Sequence, residues 1–506
     1  MAINTACSSG LVAVHQACLS LKAGECDTAI AGSVNLLLTP YGYVGMSQAG
    51  MLSPDGKCYA FDRRANGMVP GEAVVAVVLK RLREAEAEGD PIYAVIRGSG
   101  INYDGKTNGI TAPSGASQAG LLREIYRRAG VSAREIEYIV THGTGTQLGD
   151  PIEINALNEV FREATEEVGF CALTSTKTNF GHTLAPSGIV SLVSLVQAMR
   201  HEQIPASLHC EKENDYIEWE KSAFYVNKSS RRWGSEGRKK RLGGVSAFGM
   251  SGTNAHVVVE SYDAEGREKE SEPLPSYLLA LSAKSEAALA ERVEELRRVL
   301  EAEEWESGRL RAMSYTLLCG RQHFEHRCAL VARDREQAVE GCLRIGSREK
   351  LPNLFRGRVG REFRGAKAIE QYGEQLLRQG EALRKDRQAY QEALYALADL
   401  YCQGYELSWE RLYGEPRPKR LSLPTYPFAR ESYWIENAGD TLHIDRGSLA
   451  NGIRRNGLKN NSYTAPQGLL QKVFQGAVSI DEAKELLFSG NGSGNVSEMD
   501  TRAPIA

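Results

Sequence analysis

The sequence predicts a layered α/β fold for residues 1 to about 262, and three observations lead to this prediction. Apolar strand-like runs alternate with helical patterns along this region, as is typical of layered α/β domains. Glycine is frequent between the runs, with 50 glycines in the 506-residue chain. Two helical segments are apolar over more than one face, so we expect both to be buried between layers.

Short apolar runs define the strands, and apolar residues at helical spacing define the helices. Strands are predicted at 27–38, 72–82, 92–101, 136–142, 241–249 and 254–261. Helices are predicted at 7–23, 116–129, 151–164 and 186–201. The first and last of these helices are the two that we expect to be buried.

The composition changes after the first region. A charged segment that ends in proline, "YDAEGREKESEPLP", indicates a domain boundary. We therefore divide the chain into the α/β region (1–262), a linker (263–277), a smaller α/β flanking subdomain (278–435) and a mostly flexible tail (436–506). The flanking subdomain suggests strand, helix, strand, helix, then a helical segment at 388–413 and an extended aromatic strip at 422–435. One helical segment is predicted within the tail, at 467–488.

Composition and charge exclude several classes of function. The chain has 61 basic and 64 acidic residues, so no overall field attracts nucleic acid or an anionic membrane. No run approaches the ~20 apolar residues of a membrane span, and no secretory signal is visible, so a cytoplasmic location is predicted. The ten cysteines include no C-x-x-C pair and no zinc-like cluster with histidine, so we predict no metal site.

Cys7 is a candidate nucleophile because of its position before an apolar helix. Thr5 is a suitable N-cap, and the first turn of a helix presents unpaired N–H groups and partial positive charge. A thiol at this position is expected to have its thiolate favoured. A lone cysteine is more often a small core residue, which is the interpretation we adopt for Cys18 and Cys26.

Two of the nine histidines lie in glycine-rich turns. His142 ends a strand, and the residues that follow it, Asp150 to Glu153, are predicted to start a helix as an N-cap and capping box. Lys177 and His182 precede the second buried helix. An imidazole at a helix N-terminus tends to stay neutral and can donate a hydrogen bond to an oxyanion. Each histidine alone is more often structural, but a cysteine, two histidines and a lysine together indicate catalysis.

A third glycine-rich loop, "GVSAFGMSGTNAHVVVE", lies between two predicted strands. Its backbone N–H groups could supply one donor of an oxyanion hole, with the N–H of Cys7 as the other. The alternative is a strand connection that needs glycine for its dihedral angles. This signal is weak by itself.

These motifs together resemble a known family. The segments "NTACSSGLVAVHQAC", "HGTGTQLGDPIE", "KTNFGH" and "FGMSGTNAHVVVE", in this order and at these separations, resemble the β-ketoacyl synthase (ketosynthase) domain of bacterial modular type I polyketide synthases. "FDRRANGMVPGEA" and "GSGINYDGKTNGITAPSG" match as well. The flanking segments resemble those that surround an acyltransferase, yet no "GHSxG"-like motif lies between them. This arrangement is similar to the trans-acyltransferase class.

The resemblance implies a thiolase-like layered α/β/α/β/α fold and a decarboxylative Claisen condensation. Cys7 would take the acyl chain from an upstream carrier protein as a thioester. His142 and His182 would hold the malonyl thioester carbonyl and promote loss of carbon dioxide. Lys177 would orient His182 and add positive charge.

The same resemblance implies the remaining site residues and the partners. The N–H groups of Cys7 and Met250 would hold the oxyanion, with Gly249, Phe248, Thr144 and Thr146 also at the substrate site. No cofactor is expected to bind directly, since the substrates are carried on phosphopantetheine. The expected partners are acyl carrier protein domains, neighbouring polyketide synthase modules, a trans-acting acyltransferase and, at full length, a second copy in a homodimer.

In this family the nucleophile lies near the end of the first thiolase half, so the resemblance implies that nearly all of that half is missing before Met1. We therefore expect unpaired sheet edges, a Cys7 helix with reduced packing, and a chain that folds poorly and condenses nothing while its full-length parent is active. Two alternatives stay open, a non-catalytic docking fragment and a non-elongating acyl-transfer ketosynthase. The second usually lacks the "HGTGT" histidine, whereas His142 is present. A cysteine hydrolase is disfavoured because it needs a basic histidine paired with the thiol.

Overall fold

The computed structural model describes residues 1–109, 112–234, 240–262, 273–302, 308–345, 351–415 and 417–433. Met1–Ser432 form one compact unit, and only Tyr433 is described of the second unit, Tyr433–Ala506. The predicted tail at 436–506, its helix at 467–488 and most of the predicted linker therefore lie outside the described residues. The division into four parts stays a prediction.

The helices and strands follow the predicted order. The strands are β1 (Thr28–Asn35), β2 (Ala73–Lys80), β3 (Ala94–Tyr103), β4 (Tyr138–Val140), β5 (Cys171–Thr174), β6 (Gln203–Ile204), β7 (Phe224–Val226), β8 (Arg231–Arg232), β9 (Leu242–Phe248), β10 (Thr253–Ser261), β11 (Tyr277–Ala283), β12 (His326–Ala332) and β13 (Leu354–Arg358). The α-helices are α1 (Ser9–Ala23), α2 (Tyr41–Gln48), α3 (Leu82–Ala87), α4 (Gly115–Ala129), α5 (Gly149–Arg162), α6 (Lys177–Phe180), α7 (Ser187–Arg200), α8 (Glu286–Glu301), α9 (Arg309–Cys319), α10 (Arg335–Arg344), α11 (Lys367–Leu383) and α12 (Arg387–Gln403). Three short 3₁₀ helices lie at Ala133–Glu135, Trp219–Lys221 and Trp409–Leu412.

A six-stranded mixed sheet forms the centre of the first region, with the strand order β3-β10-β9-β4-β5-β7. β3, β10 and β9 are antiparallel neighbours, whereas β9, β4, β5 and β7 run parallel. Parallel neighbours need crossover connections, and α5 and α7 lie in these connections. Because β9, β4, β5 and β7 are parallel, the loops that follow them leave the sheet at the same edge.

Helices α1 and α7 lie between this sheet and a two-stranded antiparallel sheet of β1 and β2. Their apolar side chains form one core with the inner faces of both sheets. Helices α4 and α5 contribute to a separate core with residues of β4, β5 and β10. This arrangement confirms the predicted layered α/β fold with two buried helices.

The N-terminal ends of α1 and α7 approach closely because glycine occupies both contact points. A Cβ on Gly10 would lie 2.9 Å from the Ile189 side chain and 3.0 Å from the Ala185 carbonyl oxygen. A Cβ on Gly188 would lie 2.6 Å from Leu11. The Gly10 N–H donates to the Ala185 carbonyl at 3.0 Å. The start of α1 is therefore fixed against the start of α7.

The β1–β2 sheet buries one face and exposes the other. Ala31, Val75 and Val77 pack against the buried helices. On the opposite face the apolar side chains are 58–75% exposed; they belong to Ile30, Val34, Val74 and Val78. Among the described strands, none pairs with the outer edge of β1 or of β2. The unit therefore presents an apolar, two-stranded surface.

The flanking region is a three-stranded antiparallel sheet, β11-β12-β13, with helices on both faces. Helices α8 and α10 pack on one face and α12 on the other. The predicted strand, helix, strand and helix are β11, α8, β12 and α10, while α9, β13 and α11 were not predicted.

Residues 417–433 have no regular secondary structure and lie across both regions, in agreement with the predicted extended strip. The Arg420 N–H donates to the Gly89 carbonyl at 2.9 Å, and the Arg420 guanidinium pairs with Asp90 at 2.5 Å. The Tyr93 hydroxyl contacts that of Ser422 at 2.9 Å. Within the described ranges, no helix has the length and apolar character needed to cross a membrane.

Candidate active site

Cys7 lies at a strained turn just before α1. Ala6 has a φ of 54°, which non-glycine residues rarely adopt. The predicted capping role of Thr5 is wrong, because the helix begins at Ser9 and its N-cap is Ser8. The Thr5 hydroxyl instead contacts the Ser8 hydroxyl at 2.9 Å. The turn places the thiol beside the helix end rather than within the helix.

Burial determines the ionisation of the Cys7 thiol. Loss of solvation raises its pKa above the ordinary value, and three weaker effects oppose this. These are the charge of Lys177 and hydrogen bonding from the backbone N–H groups of Met250 and of Cys7 itself. The prediction that the thiolate of Cys7 is favoured is therefore wrong, since desolvation outweighs the favourable fields of Lys177 and of the backbone N–H groups.

The two predicted histidines lie next to each other. The His142 and His182 rings are 5.5 Å apart between centroids and nearly perpendicular, at 84°. The Phe248 ring lies 5.5 Å from that of His142. Burial and the charge of Lys177 hold the pKa of both imidazoles well below the ordinary value. Both rings are therefore neutral, as predicted, although the main cause is burial rather than a helix terminus.

A backbone hydrogen bond fixes the tautomer of His182. The Leu184 N–H donates to His182 Nδ1 at 3.1 Å, so the ring proton resides on Nε2. Leu184 has a φ of 56°, a strained conformation that directs its N–H to the ring. The backbone of His182 is in turn held by Val69 and Gly71 at 2.6 and 2.9 Å. His182 can thus act as a fixed N–H donor.

Lys177 is buried at the centre of the charged groups. Its ammonium donates a hydrogen bond to the backbone carbonyl of His142. The resemblance implied that Lys177 orients His182, but this hydrogen bond goes to His142. Burial lowers the pKa of Lys177, and nearby acidic groups, with Glu153 the strongest, act in the opposite direction.

Sequence reasoning misassigned two carboxylates. Helix α5 begins at Gly149 after Leu148, so the predicted capping box at Asp150 and Glu153 is wrong. The Glu153 carboxylate accepts the N–H groups of His142 and Gly143 at 2.7 and 2.8 Å. Burial raises the pKa of Glu153 to about 7. This carboxylate holds the turn that carries His142.

Asp150 fixes the same turn from its other side. Its carboxylate accepts the N–H of Phe61 at 2.9 Å and that of Gly145 at 3.2 Å. Burial raises its pKa to about 6. The available signal in the sequence was that Asp150 and Glu153 fall on the apolar face of α5, with Ile154 and Leu157.

The loop with the predicted oxyanion donor is pressed against the Cys7 turn. A Cβ on Gly249 would lie 2.2 Å from the Thr5 carbonyl oxygen, so only glycine fits there. The Gly249 N–H donates to Thr253 at 2.8 Å. Met250 follows, and its side chain is 47% exposed. The predicted donor therefore lies at the thiol and its side chain faces open space.

Thr144 and Thr146 lie in the His142 turn. Their hydroxyls are 3.1 Å apart, and that of Thr146 accepts the Gly149 N–H at 3.2 Å. The structure thus assigns their hydroxyls to the turn. Of the predicted residues, Cys7, Met250, Lys177 and the two histidines share one electrostatic environment, and no metal-binding cluster occurs among the residues described.

Comparisons with known proteins agree with this arrangement. The β-ketoacyl synthase N-terminal domain matches residues 1–85, and the C-terminal domain matches residues 93–211. A CurL-like polyketide synthase C-terminal domain matches residues 277–342. The first two matches lie in the α/β region, and the third lies in the flanking region.

Among solved structures, the ketosynthase from module 6 of the Bacillus subtilis bacillaene synthase aligns with a TM-score of 0.76 and 41% identity. The alignment covers 86% of this chain and 73% of that one. An oxazolomycin ketosynthase domain from Streptomyces albus aligns with a TM-score of 0.72 and 30% identity over 86% of this chain and 70% of that one. The chain therefore belongs to the β-ketoacyl synthase family, as a ketosynthase of the modular polyketide synthase type with a thiolase-like fold.

The curated relatives are much longer than this chain. Polyketide synthase ThaG of Burkholderia thailandensis is 46% identical over 86% of this chain, which corresponds to 8% of the relative. Polyketide synthase PksM of Bacillus subtilis is 40% identical over 86% of this chain and 10% of the relative. The chain spans a tenth or less of either protein.

Proposed function

We propose that this chain is the part of a ketosynthase that holds the catalytic residues for the chain-extending condensation of a polyketide assembly line, and that the full-length parent carries out the reaction. The Cys7 sulfur attacks the thioester of a carrier-bound acyl chain, and the carrier thiol leaves. A malonyl unit on a second carrier then loses carbon dioxide, and the electron pair of the broken C–C bond stays on the α-carbon. That carbon attacks the Cys7 thioester and forms the new C–C bond in a tetrahedral intermediate, which then collapses and expels the Cys7 sulfur.

The observation that supports this proposal most strongly is that the Cys7 thiol and two neutral imidazoles all interact with the same buried ammonium, that of Lys177. In the proposed reaction His142 and His182 donate hydrogen bonds to the malonyl carbonyl oxygen as negative charge develops on it. The N–H groups of Cys7 and Met250 stabilise the oxyanion of the tetrahedral intermediate. Lys177 supplies the positive charge that favours the Cys7 thiolate.

The substrates and partners are part of the proposal. Both acyl groups arrive on phosphopantetheine arms of acyl carrier protein domains, from this and neighbouring modules. A trans-acting acyltransferase loads the malonyl unit, which is supported by the lack of a "GHSxG"-like motif and by the CurL-like match. The same proposal includes a homodimer at full length and the assignment of residues 278–435 as the subdomain that flanks the ketosynthase. The cytoplasmic location stays a prediction from sequence.

Acylation of Cys7 tests the first half of the proposal. We expect an acyl-pantetheine thioester to add one acyl group to the peptide that contains Cys7, as measured by mass spectrometry. Cys7→Ala should abolish this adduct, whereas Cys18→Ala, a substitution within the following helix α1, should leave it unchanged. An adduct of equal yield on Cys7→Ala would refute the nucleophile.

A second variant separates chain extension from simple acyl transfer. His142→Ala should stop the release of labelled carbon dioxide from a malonyl-loaded carrier but leave Cys7 acylation intact. The presence of His142 favours extension over a non-elongating role. Carbon dioxide release that persists in His142→Ala would instead favour the transfer-only alternative.

A further inference from the structure

A cleft of about 860 Å³ opens in the flanking region, away from Cys7. Its walls are the end of α9, the second half of α11 and the segment 407–417. Its apolar floor contains Leu377, Leu407 and Trp409, which are buried. The volume is within the 300–1,000 Å³ range of ligand pockets, so it can hold more than a single ion.

Four arginines line this cleft, and three of them have no acidic partner among the residues that the structure describes. Arg417 forms ion pairs with Glu410 at 2.9 Å and with Glu415 at 3.2 Å. For Arg378, Arg384 and Arg411, no carboxylate lies within ion-pair distance in the part of the chain that the structure describes. The third lining acid is Glu381, so the lining holds four arginines and three glutamates, an excess of one positive charge.

Arg384 is the most constrained of the three. One of its terminal nitrogens donates to the Leu412 carbonyl at 2.8 Å, which anchors the guanidinium at the segment 407–417. Its Nε is buried and has no hydrogen-bond partner. A guanidinium that is held in this way loses less side-chain freedom when it binds an acceptor.

We propose that this cleft binds an acidic segment of a partner polypeptide. Guanidinium groups bind carboxylates through paired hydrogen bonds, and here they lie on two walls, with Arg378 and Arg384 on or beside α11 and Arg411 opposite. An extended acidic peptide can contact both walls and cover the apolar floor, whereas one small anion cannot. The proposal is independent of the condensation chemistry, because it involves none of the active-site residues.

Fluorescence anisotropy with a labelled hexaglutamate peptide tests the proposal on the full chain. We expect saturable binding and a loss of about tenfold in affinity for the double variant Arg378→Glu/Arg411→Glu. Arg361→Glu, a change at an exposed arginine of the same region outside the cleft, is the matched control and should bind as the unmodified chain does. Thermal melting of each variant verifies that it is folded.

Three outcomes would overturn the proposal. The first is an absence of binding. The second is an equal loss of affinity in Arg361→Glu, which would indicate non-specific attraction. The third is full displacement of the peptide by inorganic phosphate at the concentration at which phosphate binds alone, which would indicate a small-anion site. Cys7 acylation should be unchanged in the double variant, so failure here is distinct from failure of the proposed condensation.

Discussion

The ionisation of the active-site residues is set by burial and by one buried cation. Cys7, His142 and His182 are all shifted toward their neutral forms by desolvation. Lys177 lowers the pKa of all three groups, which favours the thiolate of Cys7 and the neutral form of the imidazoles. One side chain therefore serves the nucleophile and the hydrogen-bond donors in compatible ways.

Removal of this cation should slow the reaction of Cys7 with an alkylating agent. In Lys177→Met the pKa of Cys7 should rise further, so the thiolate is less populated at pH 8–9 and alkylation by iodoacetamide falls several-fold. The pH profile should shift to higher pH, since a raised thiol pKa means that reactivity appears only as the pH increases. Peptide-resolved mass spectrometry measures the rate.

Lys22→Met is the matched control for this prediction. Lys22 lowers the pKa of Cys18 in the same helix, so this variant should slow alkylation of Cys18 and leave Cys7 unchanged. Equal Cys7 rates in Lys177→Met and the unmodified chain would contradict the assigned role of the cation.

The candidate catalytic residues could be proposed from the sequence, because cysteine, histidine and lysine in glycine-rich turns carry their chemistry in their residue types. The sign of the Cys7 pKa shift could not, because it depends on how much protein surrounds the thiol. The roles of Asp150 and Glu153 were also hidden. Their N–H partners include Phe61, which is 89 residues distant from Asp150.

At the scale of elements, the contact between α1 and α7 positions the nucleophile. Gly10→Ala would place a methyl group against Ile189 and the Ala185 carbonyl, so we expect a loss of about 1–3 kcal/mol in the free energy of unfolding. The displaced turn should also reduce Cys7 acylation. Urea denaturation and the acylation assay measure the two effects.

Gly120→Ala in α4 provides the control, because a Cβ there would meet no atom within 4 Å. Helix propensity favours alanine, so this change should stabilise the protein by up to about 1 kcal/mol. A Gly10→Ala variant as stable as the unmodified chain would show that the helix ends can separate at little cost.

The sequence predicted the elements with simple apolar patterns and missed those with mixed patterns. The buried helices and the long strands were predicted within a few residues. α9 was missed because Arg311 is buried within it and interrupts the apolar stripe. α11 contains Gly373 and Gly380, which lower helix propensity, but a Cβ on Gly373 would lie 2.7 Å from Leu407, so the glycine serves packing.

At the scale of the whole molecule, the outer face of β1–β2 is the most conspicuous apolar surface of the described unit. Ile30 and Val78 are directly paired across the two strands and are 73% and 69% exposed. Exposed apolar strands with open edges promote association. We therefore expect the chain to self-associate in a concentration-dependent manner.

The double variant Ile30→Thr/Val78→Thr should shift the chain toward monomer, since threonine keeps the strand propensity and removes apolar surface. Size-exclusion chromatography with light scattering measures the mass. Val168→Thr, at an isolated exposed valine, should have no effect. A monomeric unmodified chain at high concentration would contradict the prediction.

The sequence separation between α1 and its packing partners also has a consequence for biosynthesis. α1 ends at Ala23, but α7 starts at Ser187 and β10 ends at Ser261. At translation rates of roughly 5–20 residues per second, the sequence that covers α1 leaves the ribosome on the order of ten seconds later. During that interval α1 can pack on β1 and β2 but not on α7 or β10, so we expect the nascent polypeptide to depend on chaperones until the central sheet is complete.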